Sequence, residues 1–477
     1  MQEESKGITV KKADDMPEWY SQVVLKAELA DYTPIKGCMV IRPYGYEIWQ
    51  KIMDFFNSRL KKLNVENAYF PLFIPESFFK KEAEHAKGFK PEVAWVQNKD
   101  EDSKERLALR PTSETIMYDF YSRWIRSWRD LPLRINQWCN IIRWEVKDVK
   151  LFLRSREFLW QEGHCVYETE KECHDETLMY LEEYRRVAEE LLSVPVIMGK
   201  KTEKEKFAGA KATYTIEAFM PDGKAIQLGT SHDLGQSFAK AFDIEYLGRD
   251  EKKHYPWQNS WGFSTRMIGA CVMLHSDDKG LVLPPRVAPI AVVIVPIYYE
   301  KNKEKILQMC KDIKRSLKVE VKLDDREGYT PGWKFNEWEL KGIPLRLELG
   351  PKDMEQDQVV LVRRDTGEKQ TVKIIDINKK VDCILNQIQE NLFFKMKKFL
   401  DENSVETYNW NEFLKLIEQR KLVKTAFCGE IECEDGIKEK TGGATSRCIP
   451  FNSRKPKKKC IHCDKDALFE IYFSKNY

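Results

Sequence analysis

Residues 143–158 read RWEVKDVKLFLRSREF. Three arginines, Arg143, Arg154 and Arg156, stand with carboxylates at Glu145 and Glu157 among residues of strand-forming type. Side chains alternate across a strand, so Arg143 and Glu145 are expected on one face of a first strand, flanking Trp144. Arg154, Arg156 and Phe158 then share one face of a second strand, with 146–150 (VKDVK) as the connecting loop. A solvated hairpin would be content with lysine. Guanidinium groups are planar forks that grip phosphate oxygens in pairs, and a neighbouring ring offers a face for a base. The stretch predicts a nucleoside triphosphate lying on an antiparallel sheet; the alternative is a structural ion-pair network.

No G-x-x-x-x-G-K-[ST] loop and no kinase signature set occurs in the chain, so a nucleotide would be held by another scheme. On the N-terminal side, 44–63 has helical periodicity. NAYFPLFIP (67–75) reads as a strand whose Pro71 confines it to an edge or an interface. Short strand signals recur over 105–270, broken by helical stretches such as 171–192, which predicts an α+β domain built on an antiparallel sheet. After the proline-marked LPPRVAP (283–289) the pattern changes. IAVVIVPIY, a helix over 302–316, VEVKLDD, a helix over 331–341 and PLRLEL alternate strand with helix and predict an α/β unit with a mixed sheet, closed by a helix over 385–400. The expected divisions are a polar, loosely held arm (1–20), the α+β domain (21–283), the α/β domain (284–403) and a small α+β tail domain (404–477).

A chain of 477 residues suits several domains. The net charge of +3 means that any contact with nucleic acid rests on local patches rather than a global field. MQEESKG has no apolar run, and IAVVIV (290–295) is too short to span a bilayer, so a cytoplasmic protein without membrane contact is expected. Seven of the twelve cysteines are scattered between Cys38 and Cys383, as reduced thiols would be; five fall between 428 and 463. Cys428-x4-Cys433 and Cys460-x2-Cys463 form two knuckle-like pairs that could close a structural tetrahedral Zn²⁺ site. Cys448 and His462 are spare donors beside them. The alternative is a zinc-free mini-domain with reduced thiols.

NIIRWE (140–145) with FLRSREFLWQEGH (152–164) resembles motif 2 of the class II aminoacyl-tRNA synthetases. NAYFPLFIP resembles motif 1, and SWGFSTRMIGA (260–270) resembles motif 3 with its arginine at Arg266. RPTSET (110–115), TEKEKFAGA (202–210) and GTSHDLGQ (229–236) narrow the resemblance to the prolyl-tRNA synthetase family, archaeal and eukaryotic type, from about residue 18 onward. One departure stands in the motif 2 loop, where Lys150-Leu151 replaces the proline usual before FLR.

The resemblance implies a class II antiparallel-sheet catalytic domain, an anticodon-binding domain and a C-terminal zinc-binding domain. It implies that L-proline and ATP, with Mg²⁺, give prolyl-adenylate and pyrophosphate, and that proline then passes to its tRNA. Arg143 would hold the α-phosphate, Phe158 would stack on adenine, Arg154 and Arg266 would lie near the outer phosphates, and Glu145 and Gln227 would help hold the nucleotide. Thr112 and Glu114 resemble the family's ammonium-binding pair, and Trp160, Glu162 and His164 lie at alternate positions of one strand, so they share a face. Phe207, Thr230, His232 and Ser264 would complete the proline pocket, although a lone His164 or His232 would otherwise read as a satisfied core histidine. Glu339, Arg346 and Lys352 match positions that would read the guanines of the anticodon, against the plainer reading of a solvated charged face. The interval 165–259 is too short for an editing domain, and motif 1 implies a homodimer. Two other readings remain: an RNA-binding relative without aminoacylation activity, and a class II enzyme of another specificity such as threonine, for which a catalytic metal would be expected.

Overall fold

The computed structural model describes residues 7–79, 92–97 and 105–477; the first six residues of the expected arm lie outside these. The α+β domain is built on a mostly antiparallel sheet. Its centre runs Lys224–Gly235, Trp257–Ser264, Glu157–Tyr167, Leu133–Ile142, with Glu66–Asn67 at the edge. Leu133–Ile142 and Glu157–Tyr167 form the longest ladder, pairing from Leu133↔Val166 to Ile142↔Glu157. One face is covered by the Pro43–Lys62 helix, which begins with proline in its first turn and buries Ile48, Trp49, Ile52, Phe56 and Leu60 at helical spacing. The Glu170–Arg186 helix lies on the same core, started by a Thr169/Glu172 capping box and buried through Tyr180, Leu181 and Tyr184. Gly163 has no room for a side chain: a Cβ would stand 2.1 Å from the Trp261 ring. Trp261 is thereby free to stack on Tyr180 with ring centres 4.0 Å apart.

The hairpin is longer in its loop and shorter in its strands than the sequence suggests. Regular pairing stops at Ile142 and resumes at Glu157, so Arg143 and Glu145 lie past the end of the first strand, and Arg154 and Arg156 before the start of the second. The backbone stays close, with the Arg143 N–H donating to the Arg156 carbonyl at 2.7 Å. The loop turns because Leu151, Phe152 and Leu153 are buried as a hydrophobic anchor, with Phe152 in the left-handed region at φ 61°. NAYFPLFIP is likewise not one strand. Glu66–Asn67 pairs with the main sheet and Phe73–Pro75 with a separate three-stranded sheet, and Pro71 lies between them, where no ladder bond is required of it.

The second half of the polar arm is packed, not loose. The Met16–Lys26 helix is capped by Asp15 and buries Trp19 and Tyr20 completely. Lys12 reaches the carbonyls of Met273 and Ser276 at 2.7 and 2.9 Å, which ties the arm to the end of the Arg266–His275 helix. One apolar face of an N-terminal helix outweighs the polar average of its neighbours.

The α/β unit has strand order Val321–Leu323, Val292–Pro296, Leu345–Leu349, Gln358–Arg363, Lys369–Lys373. The first three strands are parallel and the last two antiparallel, giving the mixed sheet expected. Lys303–Ser316 and the long Ile377–Asn403 helix cover it. In the tail, Ser404–Glu406, Leu422–Phe427 and Phe469–Asn476 pair side by side. Phe469–Asn476 also pairs in parallel with Lys224–Gly235, through Lys224↔Lys475 and Ala225↔Asn476, so the tail extends the main sheet. Among the described residues no helix is long and apolar enough to cross a membrane.

Candidate active site

A cavity of about 600 Å³ opens on the central sheet. Thr112, Glu114, Arg143, Glu145, Trp160, Glu162, His164, Phe207, Gln227, Thr230 and His232 line it. Alternation along Glu157–Tyr167 puts Trp160, Glu162 and His164 on its floor, and Lys224–Gly235 contributes Thr230 and His232 in the same way. Glu114 comes from the first turn of the Glu114–Trp124 helix.

The floor is a buried, charge-coupled cluster. His164 Nε2 lies 3.1 Å from Glu162 Oε2, and its Nδ1 lies 3.0 Å from the Tyr118 hydroxyl. Burial works to raise Glu162, but the hydrogen bond and charge of His164, with the Ser113 N–H, outweigh it and hold this carboxyl below its ordinary range. Burial likewise works to lower His164, but the bond to Glu162 and the charges of Glu114 and Glu162 raise the imidazole above its ordinary value. Glu114 is pushed up by burial, with the Glu162 charge adding and His164 opposing. Glu114 Oε2 and Thr112 Oγ1 are buried with no hydrogen-bond partner among the described residues. Two acceptors left unmade at a cavity wall fit a cationic donor that the cavity receives. His232 is held between Thr213 and Thr230 hydroxyls at 2.9 and 3.0 Å and packs on Phe207. Burial, then the charges of His164 and Arg143, push it down to about 3, so it is a neutral wall.

The other side of the site is cationic. Arg266, at the start of its helix, donates to the Gln227 carbonyl at 3.0 Å and the Leu153 carbonyl at 3.1 Å. Burial first, and then Arg143 with Arg154, lowers this guanidinium to about 10. Arg143 lies 5.8 and 5.9 Å from the centres of the Phe158 and Trp160 rings. Guanidinium groups gathered next to a flat ring are a receptor for a polyanion carrying an aromatic base.

Two further clusters lie away from the cavity. Cys428, Cys433, Cys460 and Cys463 bring their sulfurs within 4.8 Å of one another, while Cys448 is buried elsewhere and does not join them. The Cys428 and Cys463 sulfurs are 3.7 Å apart, and tetrahedral Zn–S bonds of about 2.3 Å place sulfurs about 3.8 Å apart. In the α/β unit a cleft of about 180 Å³ is lined by Lys279, Trp338, Glu339, Arg346 and Arg364 among others. Lys279 pairs with Glu339 at 3.0 Å, and Arg346 pairs with Glu348 at 2.9 Å over the Phe335 ring. Lys352 lies in the short Pro351–Glu355 helix and does not line this cleft.

Comparison with known proteins agrees with this layout along the whole chain. The tRNA synthetase class II core domain (G, H, P, S and T) matches 94–275, the anticodon binding domain 291–384, and the prolyl-tRNA synthetase C-terminal domain 410–477. The proline–tRNA ligase of Natranaerobius thermophilus is 50% identical over 98% of this chain and 97% of its own length. The chain belongs to the prolyl-tRNA synthetases. Other relatives are proline–tRNA ligase 2 of Clostridioides difficile, 49% identical over 98% of the chain and 97% of its own, and that of Bacillus cereus, 49% identical over 100% and 99%.

Four residues expected at a prolyl-tRNA synthetase site stand around the cavity rather than on its wall. Phe158 is beneath Arg143; Ser264, opposite Trp160 in the ladder, accepts from the Arg266 N–H at 3.2 Å; Arg266 reaches the site through Gln227; and Arg154 is exposed beside the buried Leu151–Leu153 anchor. Sequence reasoning missed the residues that orient the floor. Gln137 donates to Glu162 Oε1 and to the Ser113 hydroxyl, both at 2.9 Å, and Thr213 positions His232. Gln137 faces Glu162 across the ladder, a relation that exists only once the register is known.

Proposed function

We propose that this chain activates L-proline with ATP and transfers it to the proline tRNA. The observation that carries this reading is the single cavity that joins the two orphaned acceptors, Glu114 Oε2 and Thr112 Oγ1, to the Arg143 side of the cationic wall. The secondary ammonium of proline donates to Thr112 and Glu114, with Glu162–His164 fixing Glu114's surroundings. Its ring lies against Phe207 and His232, a neutral slot suited to a small apolar ligand.

ATP arrives as its Mg²⁺ complex. The proline carboxylate is already ionised, so its attack on the α-phosphorus needs no general base; a C–O–P linkage forms and pyrophosphate leaves. Arg143 and Arg266 then neutralise charge on phosphate oxygens, and catalysis is positioning plus electrostatics. Phe158 takes the adenine face, Glu145 and Gln227 hold the nucleoside, and Arg154 closes over the outer phosphates. The terminal ribose hydroxyl of the tRNA next attacks the prolyl carbonyl and AMP leaves. Glu339 and Arg346 read guanine edges in their cleft, and Lys352 acts from the neighbouring helix.

The cysteine quartet suits a structural Zn²⁺, because four protein sulfurs leave no open position. Helices, strands of the main sheet and the small Tyr246–Leu247/Lys253–His254 pair take up the interval 165–259, which supports a chain that has no editing domain between its motifs. Tyr69 and Phe73, on either side of Pro71, are 72% and 48% exposed, which supports a homodimer through this surface. The test is amino-acid-dependent exchange of labelled pyrophosphate into ATP without tRNA. Proline is expected to lead, with weaker alanine and cysteine signals because a small slot rejects small ligands poorly. A lead by threonine, or no exchange at all with folded protein, overturns the reading.

A further inference from the structure

Lys150 has no role in the mechanism above, yet it is the least ordinary residue of the arginine-bearing loop. Its ammonium lies 5.0 Å from the centre of the Tyr20 ring and 5.7 Å from that of Tyr477. Tyr20 is fully buried in the N-terminal helix and donates its hydroxyl to the Leu151 carbonyl at 2.8 Å. Tyr477 is anchored from the other end of the chain, its hydroxyl donating to Asp222 at 2.7 Å. Lys150 and Arg154 exchange both backbone hydrogen bonds, at 2.7 and 2.9 Å. The turn between them presents the Leu153 carbonyl to Arg266. Space for this turn is made by Gly269, where a Cβ would stand 2.6 Å from Leu153 and 3.0 Å from the Tyr20 hydroxyl. Asp222, Lys224 and Asp15 are the charged groups that act on the Lys150 ammonium.

We propose that Lys150 is a positioning residue for the triphosphate: seated between Tyr20 and Tyr477, it clamps the 150–154 turn that carries Arg154 and braces Arg266. A cation between two ring faces is held by their quadrupoles, and more strongly where water is partly excluded. The clamp ties the Met16–Lys26 helix and the Phe469–Asn476 strand to the phosphate side of the site and leaves the proline floor alone. This inference rests on the synthetase reading. It is tested with the intact chain by proline-dependent pyrophosphate exchange, varying ATP and proline separately.

Lys150→Met keeps the stem and removes the charge. It is expected to raise the KM for ATP about tenfold, with the KM for proline and the thermal midpoint close to those of the unmodified protein. Lys150→Arg restores most of the ATP KM. Tyr477→Leu alone raises it by a smaller factor and adds nothing to Lys150→Met, since both remove one interaction. An unchanged ATP KM in Lys150→Met, an equal rise in both KM values, or additive effects of the two substitutions overturns the clamp. Unmodified protein that fails to exchange with proline overturns the synthetase reading instead, so the two failures are distinct.

Discussion

Glu114 shows how a single side chain can be prepared for its ligand. It starts a helix, where the macrodipole favours a carboxylate, yet burial and Glu162 push its pKa up, and one oxygen has no partner among the described residues. An arriving ammonium supplies both the missing donor and the missing charge. Glu114→Gln keeps the shape and removes the charge. Loss of a charge-assisted bond in a buried site is worth about 2 kcal/mol or more, so the KM for proline is expected to rise at least about thirtyfold while that for ATP changes little. Separate titrations of the two substrates in the exchange assay check this.

Between elements, the most consequential contact joins the tail to the sheet. Glu217, in Ala212–Phe219, accepts from Lys201 at 2.7 Å and from Arg447 at 2.5 Å, and all three are almost fully buried. Burial works to raise Glu217, but the charges and hydrogen bonds of Arg447 and Lys201 outweigh it and bring the carboxyl down to about 2. A carboxyl depressed in the folded state stabilises above its unfolded value, about 4.3, and that stability drains as pH falls towards about 2. Docking of the tail is expected to weaken through this acid window. Glu217→Gln abolishes that part of the pH dependence and costs about 3–5 kcal/mol at neutral pH, because it strands two buried cations. Thermal midpoints of both proteins from pH 7 down to pH 3 decide the point.

At the scale of the molecule, three chemistries are spaced apart and read by different assays. Arg346 lies in the α/β cleft, remote from the cavity, so Arg346→Ala is expected to lower aminoacylation through the KM for tRNA and to leave pyrophosphate exchange unchanged. Losing one guanine contact of this kind costs about 1–3 kcal/mol, roughly five- to two-hundredfold. The cysteine quartet behaves differently, because the strand Phe469–Asn476 that follows it pairs with Lys224–Gly235, and this strand carries Gln227, Thr230 and His232. Removing the Zn²⁺ proposed for this quartet with a strong chelator is therefore expected to lower the thermal midpoint and to depress pyrophosphate exchange as well as aminoacylation. Metal analysis before and after chelation, alongside both assays, checks it.

Much of this protein is written locally. Alternation placed Trp160, Glu162 and His164 on one face, and their positions follow from a two-residue period alone. Strand–helix alternation after LPPRVAP likewise predicted the mixed sheet, and the paired cysteines predicted their own cluster. The limits of the hairpin were not legible, because Leu151–Leu153 leave the strand to bury themselves, and burial partners are not encoded in periodicity. The packed arm was hidden in the same way: its average polarity is real, but Trp19 and Tyr20 find the core from one helix face. Tertiary structure alone decided that Gln137 orients Glu162, that Arg447 closes on Glu217, and that residues 20, 150 and 477 meet. The physical reason is range: periodicity and motif spacing fix neighbours a few residues apart, whereas register and packing create the contacts that tune charge.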